Sequence, residues 1–272
     1  MSLNSQFPQL LEYNLGGGVR AFSTMRNSSD ETSPYSGFNI THYCGDSPAH
    51  VSDNRQLLCE ALGIPDSHLI LPHQTHSSNV ACVDEKMLSL PSDERELATE
   101  NIDALVTDVR GVCIGVSTAD CVPILLYDSS HHAIAAIHAG WRGTAKKIVA
   151  NTIHRMIANY GTNPSQLRAI IGPSISVEAF EVGDEVYEAF QAAGFPMSHI
   201  AKRFPSANKS SKWHIDLWAA NVCTLETAGV DLSQIMVSGI CTYTHYSRFF
   251  SARRLGIHSG RTFSGILLTD KD

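Results

Sequence analysis

The chain has 272 residues, 43% of them hydrophobic and 17% charged, a balance that excludes a disordered chain, a collagen and a coiled coil. Twenty lysines and arginines face 27 aspartates and glutamates, for a formal charge of −7. Binders of the nucleic-acid backbone are ordinarily basic, so nucleic acid is set aside as a main partner, whereas a small anion held by a few arginines is not.

In chain order, Gly16-Gly17-Gly18 and the polar residues 27–36 read as loops, with a strand between them at 19–24. Residues 51–62 carry apolar positions at helical spacing and stop at Gly63. Short strands are predicted at 68–72 and 79–83. Three apolar runs follow, at 111–117, 122–127 and 132–138, split only by Thr118-Ala119-Asp120 and Asp128-Ser129-Ser130. Connections this short predict antiparallel neighbours.

After the Gly-rich corner Ala139-Gly140-Trp141-Arg142-Gly143, one amphipathic helix is predicted from Thr144 to Tyr160, stopped by Gly161. Further helices are predicted at 183–193 and 217–228, the latter with Asp216 as N-cap. Strands are predicted at 235–240 and 263–268. Residues 202–212 read as a surface loop rather than a boundary, so residues 1–272 are taken as one domain, within the roughly one or two that this length allows. Strands and helices mix without strict alternation. The fold class is therefore α+β, with mixed and antiparallel sheets flanked by helices.

The seven cysteines include no CxxC pair, which fits a reduced compartment. Residues 1–6 show no basic n-region and no apolar h-region, so a cytoplasmic location without a signal peptide is expected. No apolar stretch approaches the roughly 18 residues of a membrane span.

Of the 13 histidines, His131, His132, His154, His199 and His258 lie in surface-like contexts. Three other places invite chemistry. In His73-Gln74-Thr75-His76, Pro72 argues against the helix that would bring both rings together, so one histidine is expected to face a site. In Thr118-Ala119-Asp120-Cys121, a cysteine beside an acid leads into an apolar strand. His138 ends another such strand, before glycines that let backbone approach a ligand. Strand, turn and strand would return Cys121 and His138 to one sheet edge. With a histidine of the first motif they make a three-ligand set with an open fourth position, the pattern of catalytic zinc; the other reading is a buried free thiol and two hydrogen-bonded core histidines. Arg253-Arg254, after Phe249-Phe250, can cradle a phosphate or carboxylate. Arg26 and Arg261 are further anion candidates.

Taken together, Phe22-Ser23-Thr24-Met25-Arg26, Phe38-Asn39, Gln74-Thr75-His76, Asp103-Ala104-Leu105-Val106-Thr107, Ala119-Asp120-Cys121-Val122-Pro123, His138-Ala139-Gly140-Trp141-Arg142-Gly143 and Phe249-Phe250-Ser251 with Arg253-Arg254 resemble the laccase-domain proteins. That family was first described as multicopper polyphenol oxidases and then as purine nucleoside phosphorylases. The matching segments run in order over nearly the whole chain. The resemblance implies one zinc ion held by His76, Cys121 and His138, and a fold similar to the catalytic domain of the cytotoxic necrotizing factor toxins. The family usually has a glycine pair after the first-motif arginine; here Asn27-Ser28-Ser29 follows Arg26.

The implied activities are phosphorolysis of adenosine, inosine and methylthioadenosine, and deamination of adenosine. On this reading the partners are purine nucleosides and phosphate, not membrane or nucleic acid. Zinc would activate water for deamination, and Asp120 would supply the proton to the leaving amine. Arg253 would act at the reacting phosphate, with Arg26, Asn39 and Arg254 holding substrate or phosphate. The alternatives are a cysteine hydrolase, with Cys121 as nucleophile and His138 as base, a hydrolase editing peptidoglycan precursors, and a copper laccase. Laccase centres are rich in HxH pairs, and this chain has none.

Overall fold

The computed structural model describes residues 8–204 and 211–269. The chain opens with β1 (Leu10–Tyr13), β2 (Val19–Thr24), α1 (Pro48–Leu62), β3 (Leu69–Ile70) and β4 (Val80–Cys82). Next come α2 (Glu85–Leu88), α3 (Ser92–Ala98), β5 (Ala104–Thr107), β6 (Cys113–Thr118), β7 (Val122–Asp128) and β8 (Ala133–Ala139). The second half runs α4 (Trp141–Ala145), α5 (Ile148–Tyr160), β9 (Arg168–Ile171), β10 (Glu181–Val182), α6 (Asp184–Ala192), α7 (Met197–Ile200), β11 (Ala201–Arg203), β12 (Trp213–Ile215), α8 (Leu217–Thr227), β13 (Ile235–Val237), α9 (Ala252–Leu255) and β14 (Thr262–Leu268). Residues 205–210 of the expected surface loop lie outside the described residues, and residues 201–203 form β11.

Two mixed sheets carry the fold, one ordered β1-β2-β14-β6-β3 and the other β13-β9-β7-β8-β5-β4, with a small β10-β12-β11 sheet beside them. Period-2 alternation explains why they stack. Ile114 and Val116 of β6 and Ile266 of β14 share one core with Leu125 and Tyr127 of β7 and with Ile134 and Ala136 of β8. The opposite face of the six-stranded sheet packs Ile124, Leu126, Ala135 and Ile137 on Ile153 and Met156 of α5 and Leu225 of α8. The opposite face of the five-stranded sheet packs Phe22 and Phe263 on Leu58 of α1. The result is an α+β sandwich of four layers, each central sheet buried on both sides. That is why its strands read as continuous apolar runs rather than alternating ones.

Three expectations change. Strands β6 and β7 are not neighbours: residues 119–121 carry the chain from one sheet into the other, and only β7 and β8 form the antiparallel hairpin. A three-residue connection fits a sheet crossing as well as a hairpin, and Asp120, at φ 84°, makes the corner. The helix predicted from Thr144 is broken, because Lys147 is left-handed at φ 60° and separates α4 from α5. Ala145 and Ile148 keep helical spacing across the break, which hides it in the sequence; the Lys147 ammonium then rests 3.2 Å from the centroid of the Phe195 ring. Finally, α1 starts at Pro48, whose missing N–H costs nothing in a first helical turn.

Candidate metal and active site

Register puts the site at one end of the sandwich. Pro123 pairs with His138 and Val122 with Ala139, so the strands emerge side by side into Cys121 and Gly140. Asp103 immediately precedes β5, whose Ala104 pairs with Ile137, and its carbonyl accepts the His138 N–H at 2.8 Å. Thr262 pairs with Thr118, which brings Arg261 to the same edge. The loop 73–77 closes over these ends. His76 enters the cavity while His73 turns out to bind Glu100 at 2.7 Å.

His76, Cys121 and His138 offer ligand atoms all within 4.8 Å of one another. His76 Nε2 lies 3.6 Å from Cys121 Sγ. Zinc–sulfur and zinc–nitrogen bonds of about 2.3 and 2.0–2.1 Å at a tetrahedral angle require a separation of about 3.6 Å. Gly140 is part of the fit: a Cβ there would come within 2.8 Å of His76 Cδ2 and 3.0 Å of Cys121 Sγ. The donor set, its spacing and this cradle suit one divalent metal ion. Gly140→Ala should lower metal affinity about 10- to 100-fold, the range for disturbed outer-shell support, measured by competition with a chromogenic chelator.

Asp103, fully buried, organises the ligands. One carboxylate oxygen accepts from His138 Nδ1 at 2.6 Å and from the His76 N–H at 3.1 Å. The other accepts from the main-chain N–H groups of Thr75 at 3.2 Å and Ser77 at 2.7 Å, and from the Ser77 hydroxyl at 2.6 Å. This bond to Nδ1 leaves Nε2 of His138 as the ligand nitrogen, the usual support of a metal-bound histidine. Burial opposes ionisation of Asp103, but the donors from His138 and Ser77 hold it well below the ordinary carboxylate range. Burial likewise opposes charge on Cys121 and His138. Their mutual attraction, helped by His76 and Asp103, still lowers the thiol and raises the imidazole, each favouring the charged form of the other.

Strain accompanies the site. His76 (φ 61°) and Asp120 (φ 84°) are both left-handed, a conformation that costs non-glycine residues on the order of 1–3 kcal/mol each. Asp103 holds the first through its main-chain N–H. The second is fixed by its own carbonyl, which accepts the Ile175 N–H at 2.9 Å, and by its side chain. Asp120 Oδ1 accepts from the Thr242 hydroxyl at 2.7 Å and Oδ2 from the Arg253 N–H at 2.7 Å. Asp120 therefore staples three segments. Both its oxygens are thus engaged by the chain itself, at the wall of the cavity.

Around the ligands opens a cavity of about 640 Å³, walled by Tyr43, Gln74, Thr118, Trp141, Arg253, Ile257 and Arg261 among others. The expected anion binders divide. Arg253 lines the cavity, with its guanidinium donating to the Ala179 and Glu181 carbonyls. Arg254 does not line it and lies over the Tyr243 and Tyr246 rings.

Arg26 is fully buried and serves the 27–36 loop. Its guanidinium donates to the carbonyls of Ser36 at 3.0 Å, Tyr246 at 2.8 Å and Ser33 at 2.6 Å, and more weakly to those of Asp30 and Glu31. Fully buried and absent from the cavity wall, this guanidinium braces the loop. Arg26→Met should therefore cost at least about 3 kcal/mol of stability through stranded carbonyls, seen as a lower unfolding midpoint, while the KM for phosphate of the folded fraction stays unchanged. Asn39, also buried, does not line the cavity. Its amide donates to Asp46 at 2.8 Å, and its carbonyl accepts from the Arg261 N–H at 3.1 Å, which positions that arginine.

Sequence reasoning gave no role to Asp103, Tyr43 or Gln74. Gln74 pairs with both main-chain groups of Ser117, at 2.7 and 2.8 Å, and ties the His76 loop to β6. The available signal for Asp103 was an acid directly before the apolar run 104–107.

Residues 20–269 match the family described as multi-copper polyphenol oxidoreductase laccase. The chain belongs to this family. Within the laccase family it is similar to a purine nucleoside phosphorylase of Bacteroides thetaiotaomicron, 47% identical over 250 residues and 92% of each chain. It is also similar to the adenosine deaminase RL5 of an unknown prokaryotic organism, 47% identical over 249 residues, 92% of this chain and 94% of the other. The crystal structure of the hypothetical protein YfiH from Bacillus licheniformis superposes with a TM-score of 0.86 at 30% identity, covering 96% of this chain and 97% of that one.

Proposed function

We propose that the protein is a zinc-dependent purine nucleoside enzyme that phosphorolyses adenosine, inosine and methylthioadenosine and deaminates adenosine, acting in the cytoplasm. The observation that carries this reading is the His76–Cys121–His138 group at the wall of a cavity large enough for a nucleoside and phosphate. The names of the two relatives at 47% identity, a purine nucleoside phosphorylase and an adenosine deaminase, support the substrate class. All seven cysteines are free thiols, in keeping with a reduced compartment.

A zinc ion held by the three residues would supply a Lewis acid and lower the pKa of a bound water towards about 7. The chain's own residues do the rest. Asp103 fixes the His138 ring, Tyr43 and Trp141 wall the cavity, and Arg253 with Arg261 position phosphate for attack at C1′ as the glycosidic bond breaks. The products are the free purine base and ribose 1-phosphate, or 5-methylthioribose 1-phosphate from methylthioadenosine. Arg253→Ala should then cut phosphorolysis of inosine about tenfold or more, as loss of a charge-assisted hydrogen bond does, while leaving adenosine deamination nearly intact. Equal losses would remove its assignment to phosphate.

The test of the reading is turnover of inosine and adenosine by the purified protein with and without phosphate, alongside its metal content. Base release that requires both phosphate and metal is expected; zinc-loaded protein inert towards both nucleosides would refute it. The closeness of Cys121 and His138, each of which favours the charged form of the other, favours one second reading, a cysteine hydrolase, with peptidoglycan precursors among its substrates. Such an enzyme would keep its activity under a chelator. For a copper laccase, His76, Cys121 and His138 form the one metal-ligand group among the described residues, where a four-copper centre needs several.

A further inference from the structure

A second cavity, of about 360 Å³, lies between α5 and α8 and shares no lining residue with the metal-site cavity. Its size falls within the range of small-molecule sites, which begins at about 300 Å³. The wall is mostly apolar, with Ala150 of α5, Phe195 and Pro196 before α7, and Ala228 after α8. One ammonium group stands in it. Lys147, half-buried, is left-handed at φ 60°, a conformation that glycine takes freely and lysine does not, and strain of this kind gathers at ligand clamps. The ammonium rests on the Phe195 ring, and among the described residues it has no hydrogen bond or ion pair. Burial pushes its pKa down, offset in part by the nearby Cys223. A cation drawn from water into an apolar wall is ordinarily paired.

The other polar groups of the wall narrow the chemistry of that missing partner. The Thr224 and Thr227 hydroxyls have given their hydrogens to the carbonyls of Ala220 at 2.9 Å and Cys223 at 2.7 Å, so they do not donate to an anion as well. Lys147 is left as the principal donor, with His154 exposed at the rim. A phosphate dianion calls for several donors. One ammonium on an apolar wall matches a single carboxylate carried on an apolar body.

We propose that the cavity between α5 and α8 is a binding site for a small organic carboxylate, its anion paired with the Lys147 ammonium and its apolar body laid against Ala150, Phe195 and Ala228. Titration calorimetry on the purified whole chain tests this, with octanoate as probe and octanol as the uncharged chain of the same length. Octanoate should bind saturably at one site, about tenfold or more tighter than octanol, the worth of a hydrogen bond between charged groups. Lys147→Met keeps the stem and removes the charge, so octanoate should fall to the affinity of octanol. Ala150→Phe, which fills the cavity, should abolish binding of both. No saturable binding at millimolar octanoate, equal affinity of the wild type for the two probes, an unchanged octanoate affinity in Lys147→Met, or octanoate binding that survives Ala150→Phe would each overturn the site. If Lys147→Met does not fold, the difference between the probes on wild type decides the role of charge. If Ala150→Phe does not fold, Cys223→Phe fills the cavity from the opposite helix and gives the same comparison.

Discussion

Cys121→Ala should leave a folded protein that purifies with essentially no metal. It is the only sulfur donor in the group, and alanine leaves two imidazoles that cannot close a tetrahedral site. Lewis-acid chemistry supplies several kcal/mol of transition-state stabilisation, so kcat/KM for nucleosides should fall on the order of 10³-fold or more. Activity alone does not separate a metal enzyme from a cysteine hydrolase, since both lose it. Zinc-induced stabilisation does: the wild type should gain about 2.7 kcal/mol at a hundredfold excess of zinc over Kd, and the variant nothing. A variant that bound zinc as tightly as wild type while losing activity would point to the nucleophile reading.

Asp103→Asn should have the second largest effect. The native carboxylate accepts five hydrogen bonds, four of them from the 75–77 loop and one from His138. The asparagine NH2 would face donors. Removing one charge of such a buried group typically costs about 3–5 kcal/mol, and lost histidine support costs about 10- to 100-fold in metal affinity. The pH dependence follows from the lowered carboxyl pKa. Stabilisation by a group whose folded pKa lies below its unfolded value is complete above the unfolded value, about 4, and is lost as pH falls towards the folded one. The metal-free variant should therefore show a shallower loss of stability between about pH 4 and pH 2 than metal-free wild type, measured by denaturant midpoints across that range.

Apolar runs at 122–127 and 132–138 marked the central hairpin, because strands buried on both faces must be apolar throughout. The same runs concealed which sheet each strand joins: residues 119–121 look like a hairpin turn until the Asp120 corner is seen. The break at Lys147 was equally hidden, since hydrophobic spacing continues through it. At the site, residue type pointed to Cys121 and His138, and the spacing of strand and turn to their shared edge. Arg26 and Arg254 show the limit of that reasoning. An arginine in a conspicuous motif can serve carbonyls or aromatic rings as readily as a phosphate, and only its surroundings tell which. Arg261 owes its place in the cavity to the pairing of Thr262 with Thr118, a long-range contact that local pattern does not encode.

The central claim is that three side chains grip one ion, and the scattering shell of that ion tests it most directly. Zinc K-edge absorption of the purified protein should show one sulfur near 2.3 Å and two nitrogens near 2.0–2.1 Å, with a lighter atom completing the set. In Cys121→Ala the sulfur shell should vanish. A wild-type spectrum with no sulfur in the first shell would contradict the account.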